Sequence, residues 1–242
     1  MQFTVLESKG DEKVVLKVSG ASVSEVNGIR RAILSQIPCF AIDEVDFYEN
    51  NSALYNEYLA NRLGLVPLTF DADVADDARV SLTMNVQGPG IIYSKDLVSA
   101  DGVIKPINNN FPIVDLGDNQ RVRVEAWAVK GTAKKHAKFQ CAHASYGLMP
   151  FFKVKKNSPK LKEFVEKLPK PMLDSKGEPV AWKCTALEKF ATDNPDVAEY
   201  GLEEKDFVFT IESFNNVPAT GQLRTALKVM AGHAGEIRKE LK

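Results

Sequence analysis

Apolar positions along this chain switch between a period of two and a period near 3.6, and the switches mark out its elements. Phe3 and Val5 alternate with polar neighbours, and Gly10-Asp11 supplies turn chemistry. Val14, Leu16 and Val18 then alternate with Lys13, Val15 and Lys17, so the first 20 residues predict two strands. A helix follows. Val26, Ile29, Ile33 and Ile37 recur at helical spacing, Ser22 and Glu25 form an S-x-x-E capping box ahead of them, and Pro38 is expected to end the run. From Cys39 to Tyr48 the pattern is extended again. A second helix is expected with Ser52 as its N-cap, with Leu54, Tyr58 and Arg62 on one face and Tyr55, Leu59 and Leu63 on the next. Gly64 suits its C′ position, and Pro67 blocks continuation.

Two later stretches alternate most cleanly. Val80, Leu82, Met84 and Val86 interleave with Ser81, Thr83, Asn85 and Gln87, and Val122, Val124, Ala126 and Ala128 interleave with Arg121, Arg123, Glu125 and Trp127. Each predicts a strand with one buried and one wetter face, hence an antiparallel sheet. Turn-rich sequence lies between them. Residues 153–205 are less regular, with prolines at 169, 171, 179 and 195, and are expected to be a poorly packed excursion with a short helix near Leu161–Leu168. Phe207, Phe209 and Ile211 define a further strand, and Pro218 sits where a last helix begins. In that helix Leu223, Leu227, Met230, Ala234, Ile237 and Leu241 recur at an average step of 3.5, a seam that keeps apolar residues aimed at a neighbouring helix. The seam suits the chain's own core and an inter-chain contact equally well.

At 242 residues, 44% hydrophobic and 26% charged, the chain is large enough for one sizeable core or two modest ones. No run approaches a membrane span, and no leader precedes the first strand, so a cytoplasmic location is expected. The 31 basic and 32 acidic residues leave a formal net charge of -1, without the basic excess of a protein that grips a duplex through its phosphates. The lysine-rich stretch 153–170, seven lysines against two glutamates, reads as a solvated face. Cys39, Cys141 and Cys184 are too few and too scattered for a disulfide framework or a zinc ribbon.

Candidate chemistry is sparse. The carboxylates of Asp71, Asp73, Asp76 and Asp77 suggest a cation loop, but the sixth and twelfth EF-hand positions hold Asp76 and Leu82 where Gly and Glu are required. Cys141 and His143 offer two metal ligands of the four a structural zinc needs. No phosphate-cradling glycine motif occurs. An enzyme built on Asp71, Asp73 and His143 is the rival to a binding role.

Four blocks carry a resemblance. They are Val26-Asn27-Gly28-Ile29-Arg30-Arg31-Ala32-Ile33-Leu34-Ser35-Gln36-Ile37-Pro38 with Ala41-Ile42-Asp43, and Glu49 through Ser52 with Glu57 through Leu68. The others are Lys130 through Phe139, containing His136-Ala137-Lys138, and Phe209-Thr210-Ile211-Glu212-Ser213. In this order they resemble the alpha-like family of RNA polymerase subunits, in its archaeal and eukaryotic branches.

The resemblance implies an α+β fold in which a dimerisation domain, residues 1–38 and 206–242, is interrupted by a β-rich insert domain, residues 39–205. It implies a non-catalytic subunit of DNA-directed RNA polymerase, a nucleotidyltransferase, that is inactive alone. Its partners would be a small alpha-like subunit, met through the 223–241 seam, and the large catalytic subunits, met through Arg30 and Arg31. The large subunits hold the Mg²⁺, and DNA is touched indirectly at most. A homodimer is the alternative assembly. Many archaeal members bind an iron–sulfur cluster in the region matching 160–200. Here that region holds only Cys184, so no cluster is expected and 153–205 is read as a degenerate or remodelled ferredoxin-like subdomain.

Overall fold

The capping box at Ser22 closes as its spacing predicts. The Ser22 N–H donates to Glu25 Oε2 at 2.8 Å, and the Glu25 N–H donates to Ser22 Oγ at 3.3 Å. The computed structural model describes residues 1–214 and 216–241. Strands β1 (Gln2–Lys9) and β2 (Lys13–Ser19) lead into helix α1 (Val23–Ser35), strand β3 (Pro38–Asn50) and helix α2 (Asn56–Gly64). Next come β4 (Arg79–Gln87), β5 (Gly90–Tyr93), β6 (Val98–Ser99), β7 (Pro112–Leu116), β8 (Arg121–Thr132) and β9 (Ala142–Val154). Helices α3 (Pro159–Glu166) and α4 (Ala186–Asp193), the long strand β10 (Ala198–Ser213) and helix α5 (Ala219–Glu240) complete the chain. The fold is α+β, with sheets ordered β1-β2-β10-β9, β3-β8-β4-β6 and β5-β7. No described helix is long and apolar enough to cross a membrane.

The chain divides into two compact units. One comprises Met1–Glu7, Val15–Asn27 and Ser145–Thr210; the other comprises Ser8–Val14, Gly28–Ala144 and Ile211–Lys242.

In the second unit the two cleanly alternating segments pair antiparallel as β4 and β8, with Val80 opposite Ala128, Leu82 opposite Ala126 and Met84 opposite Val124. These six side chains are buried with Phe40 and Ile42 of β3 and with Leu59 and Leu63 of α2, forming one core. The opposite face is polar. Glu125 accepts from Ser81 Oγ at 2.7 Å and from Tyr48 OH at 3.0 Å, and Trp127 Nε1 donates to Asp46 at 3.1 Å. The alternation in sequence is therefore the boundary between oil and water in the sheet. Three short strands, β5, β6 and β7, lie in the stretch read as turns.

Strand β3 pairs with β8 through two register shifts, and Asp43 falls at the first, between Ile42 and Glu44. The bulge leaves Asp43 unpaired in the ladder and turns its carboxylate to Lys138 Nζ at 2.5 Å and Lys135 Nζ at 3.4 Å. The Lys138 hydrogen bond holds the Asp43 carboxyl below the usual carboxylate range. Two blocks of the resemblance, Ala41-Ile42-Asp43 and Lys130 through Phe139, are thus a single clasp. Cys39 Sγ donates to the Phe139 carbonyl at 2.9 Å, and His136 Nδ1 accepts the Lys138 N–H at 3.1 Å. A Cβ on Gly131 would stand 2.7 Å from the fully buried Phe139 ring. Gly131→Val should therefore displace that ring and cost about 1–3 kcal/mol, read as a lowered urea midpoint at unchanged slope. An unchanged midpoint would mean that the clasp holds nothing in place.

Three local expectations are corrected. Ser52 does not cap α2. Its hydroxyl donates to Asn50 Oδ1 at 2.7 Å and accepts the Leu54 N–H at 3.3 Å, closing a turn before the helix starts at Asn56 behind Tyr55. Gly64 is the last helical residue rather than C′, because Leu65 takes the C-cap in right-handed conformation. Finally, 153–205 is better packed than its prolines and lysines suggest. In the first unit Leu161, Phe190, Ala191, Val197 and Ala198 form a small core against Phe152, Phe164, Val165 and Tyr200, with the Phe164 and Phe190 ring centroids 4.6 Å apart.

Candidate partner-binding helices

Helix α5 is rooted at one end only. Its 22 residues span about 33 Å. Pro218 stands at the N-cap, and Ala219, Gln222 and Ala226 are the buried positions. Gln222 is fully buried, and its Nε2 lies 2.8 Å from the Val217 carbonyl, 3.1 Å from the Cys141 carbonyl and 3.1 Å from Ser213 Oγ. The root is also tied by the backbone. The Ala219 N–H donates to the Asp11 carbonyl at 3.0 Å and the Phe214 N–H to the Cys141 carbonyl at 3.0 Å.

The predicted seam divides in two. Leu223 and Met230 are half-buried, and Met230 Cε lies so near Gly28 of α1 that a Cβ there would stand 3.2 Å from it. Leu227 is 36% exposed. Beyond Met230 no described residue covers the helix. Every residue from Ala231 to Leu241 is exposed, Ala234 among them, with Ile237 at 58% and Leu241 at 82%. An amphipathic helix that serves its own fold buries one stripe along its length; here the outer three turns bury none.

Helix α1 turns Val26, Ile29, Ala32 and Ile33 inward. Arg30 is half-buried and engaged within the chain, whereas Arg31 is exposed. Two adjacent guanidinium groups that differ in burial present different surfaces, since neighbouring helical residues point about 100° apart.

The remaining candidates stay apart. Asp71 and Asp73 form a local turn, with the Asp73 N–H donating to Asp71 Oδ1 at 2.8 Å, and Asp76 pairs with Lys130 at 2.8 Å. His143 packs edge-on against Phe214 with ring centroids 4.9 Å apart. Burial pushes the Cys39 and Cys141 thiols up to about 12, which makes both poor nucleophiles and poor ligands. Cys184 is buried as well. Among the described residues no group of three or more His, Cys, Asp or Glu is arranged to hold a metal ion. One thiolate does not supply the three or four ligands of an iron–sulfur cluster, so the residues present do not fit that group.

Spacing does not signal the packing role of Gln222, nor those of Gly28 and the bulged Asp43, although both of the latter lie within the blocks that carry the resemblance. Gln222 reads as ordinary helix surface, and its burial follows from the loop it meets. Arg62, placed on a helix face by its spacing, proves to be a strut, with Nε donating to the Ile113 carbonyl at 2.6 Å and Nη2 to the Pro112 carbonyl at 2.8 Å.

Comparison with known proteins identifies the family. Residues 34–151 match the family model described as the RNA polymerase Rpb3/RpoA insert domain. The chain is 37% identical to the DNA-directed RNA polymerase subunit Rpo3 of Thermococcus kodakarensis, an alignment covering 100% of this chain and 98% of that protein. It is 37% identical to the Pyrococcus furiosus protein of the same name, over 100% and 97%, and 34% identical to that of Halobacterium salinarum, over 96% and 94%. Similarity of this depth along the entire length, with the insert-domain match inside it, establishes that the chain belongs to the archaeal Rpo3 family of DNA-directed RNA polymerase subunits.

Proposed function

We propose that this chain is a non-catalytic assembly subunit of a cytoplasmic DNA-directed RNA polymerase. Residues 1–38 and 206–242 act as the dimerisation domain, and 39–205 is the insert, with 153–205 as its remodelled ferredoxin-like part. The observation that carries the reading is the uncovered outer half of α5, where Ile237 and Leu241 lie open to water on a helix rooted only at its start. Leu223, Leu227, Met230, Ala234, Ile237 and Leu241 form the face that a small alpha-like subunit covers, and apolar burial supplies the affinity. Arg30 and Arg31 pair with carboxylates of a large subunit, for which a planar guanidinium suits bidentate contact. Nucleotidyl transfer belongs to Mg²⁺ held by the large subunits, and this chain contributes no reacting group.

Co-expression with a small alpha-like subunit tests this. The expected product is a one-to-one complex by light scattering, inactive in nucleotide incorporation until the large subunits join. A chain that stays monomeric beside that partner, or that incorporates nucleotides alone, overturns the reading.

A further inference from the structure

Outside the helices assigned to assembly, the first unit carries a groove of about 620 Å³ where β9 runs into α3. Val154, Leu161 and Val165 contribute its apolar lining, with Lys155, Lys156 and Lys162 alongside. Val154 is 46% exposed, a valine open to water at the end of a strand. Lys155 stands 3.6 Å from Glu199, a loose pair, and neither Lys156 nor Lys162 forms an ion pair with a described residue. Many of the chain's other lysines are engaged; Lys9, Lys13, Lys17, Lys130 and Lys138 each meet a carboxylate within 3 Å.

The helix beside the groove is charged against its own dipole. Helix α3 has no acid in its first turn, where Lys160 and Lys162 fall, and no base in its last turn, where Glu163 and Glu166 fall. A helix left to optimise itself carries the opposite pattern. Local rules broken in this way mark positions that serve something outside the element. Seven lysines against two glutamates in 153–170 make this the basic region of a chain whose net charge is -1.

We propose that the groove receives an acidic segment of another subunit of the assembled polymerase. An aliphatic side chain of that segment seats on Val154, Leu161 and Val165, and its carboxylates meet Lys156 and Lys162. The apolar floor and the acids decide between a protein and a nucleic acid. Glu166 and Glu178 also line the groove, and a row of phosphates would be repelled by both. A polypeptide can set its carboxylates against the lysines and its own donors against the glutamates, around an apolar centre. This inference rests on the assembly reading, because the occupant is a neighbour in that assembly.

Zero-length carbodiimide coupling of the reconstituted polymerase tests it, since the reagent joins a lysine amine to a carboxylate only where the two already touch. Lys156 or Lys162 should couple to an Asp or Glu of another subunit, within a few residues of a Leu, Ile or Val. Val154→Asp, which leaves every lysine in place, should cut the yield of that link at least fivefold with subunit stoichiometry unchanged. Normal incorporation of the chain without these links overturns the groove assignment alone. So does coupling confined to its own residues, or protection of the lysines only when a nucleic-acid template is bound. Failure of the chain to enter the polymerase at all overturns the assembly reading and this proposal with it.

Discussion

A Leu227→Asp variant should fold yet fail to capture the small alpha-like subunit proposed as partner. In the isolated chain Leu227 is 36% exposed, so the new carboxylate reaches water and folding loses little. In the proposed complex the same position would face an apolar helix, and the carboxylate would be buried without a counter-charge. An unpaired buried charge costs about 3–5 kcal/mol, which weakens association by at least a hundredfold, each 1.4 kcal/mol being tenfold. Leu227→Ala removes apolar area without adding charge and should cost about 1–2 kcal/mol of binding. Light scattering of mixtures with the partner reads the association, and circular dichroism melting of the variant alone reads its fold. A Leu227→Asp chain that pairs at wild-type affinity would place the interface elsewhere.

Gln222→Glu should make stability fall as pH rises. The amide nitrogen lies 2.8 Å from the Val217 carbonyl and 3.1 Å from the Cys141 carbonyl, so a carboxylate in its place faces acceptor oxygens with no water at hand. Burial and repulsion raise the folded-state pKa of the new acid above the ~4.3 of an unfolded glutamate. Below about pH 4.3 both states hold the proton and the penalty is absent. As pH climbs from there to the folded pKa, the unfolded state alone ionises, and stability declines until it levels off above that pKa. The expected loss at pH 8 relative to pH 4 is about 2–4 kcal/mol, in the range for burying a charge or an unmatched polar group. Gln222→Met loses the same hydrogen bonds with no titrating group, so its deficit should not move with pH. Urea midpoints from pH 4 to 8 separate the two. Parallel profiles would mean that the side chain at 222 reaches solvent.

Much of the architecture is legible in the residues because one side of each element faces oil. The alternation in Val80–Val86 and Val122–Ala128 predicts two strands, and the same side chains meet across the β4–β8 ladder. The capping box at Ser22 is legible because both partners are local. Ser52 misleads because Asn50, two residues back, takes its hydroxyl, a competition no cap preference encodes. The small core around Phe190 is hidden because Phe152, Leu161 and Val197 are far apart in sequence and interrupted by lysines. The spacing of the α5 seam is plain, but its division is not, since Met230 is sheltered by a glycine 202 positions earlier whose missing side chain makes the room. The blocks that carry the family resemblance also sort by physics. Gly131, Lys138 and Phe139 hold the clasp, Arg62 braces β7, and Arg31 alone of the two α1 arginines stands in water.

The way α5 is tethered bears on how tightly any companion can be held. A helical stretch of about a dozen residues with nothing beside it is marginal in water, because propagation barely outweighs the chain entropy it costs. From Ala231 onward no described residue of this chain gives the helix lateral support. In the proposed complex, part of the energy released on docking would be spent in stiffening those turns, which would lower affinity per unit of area covered.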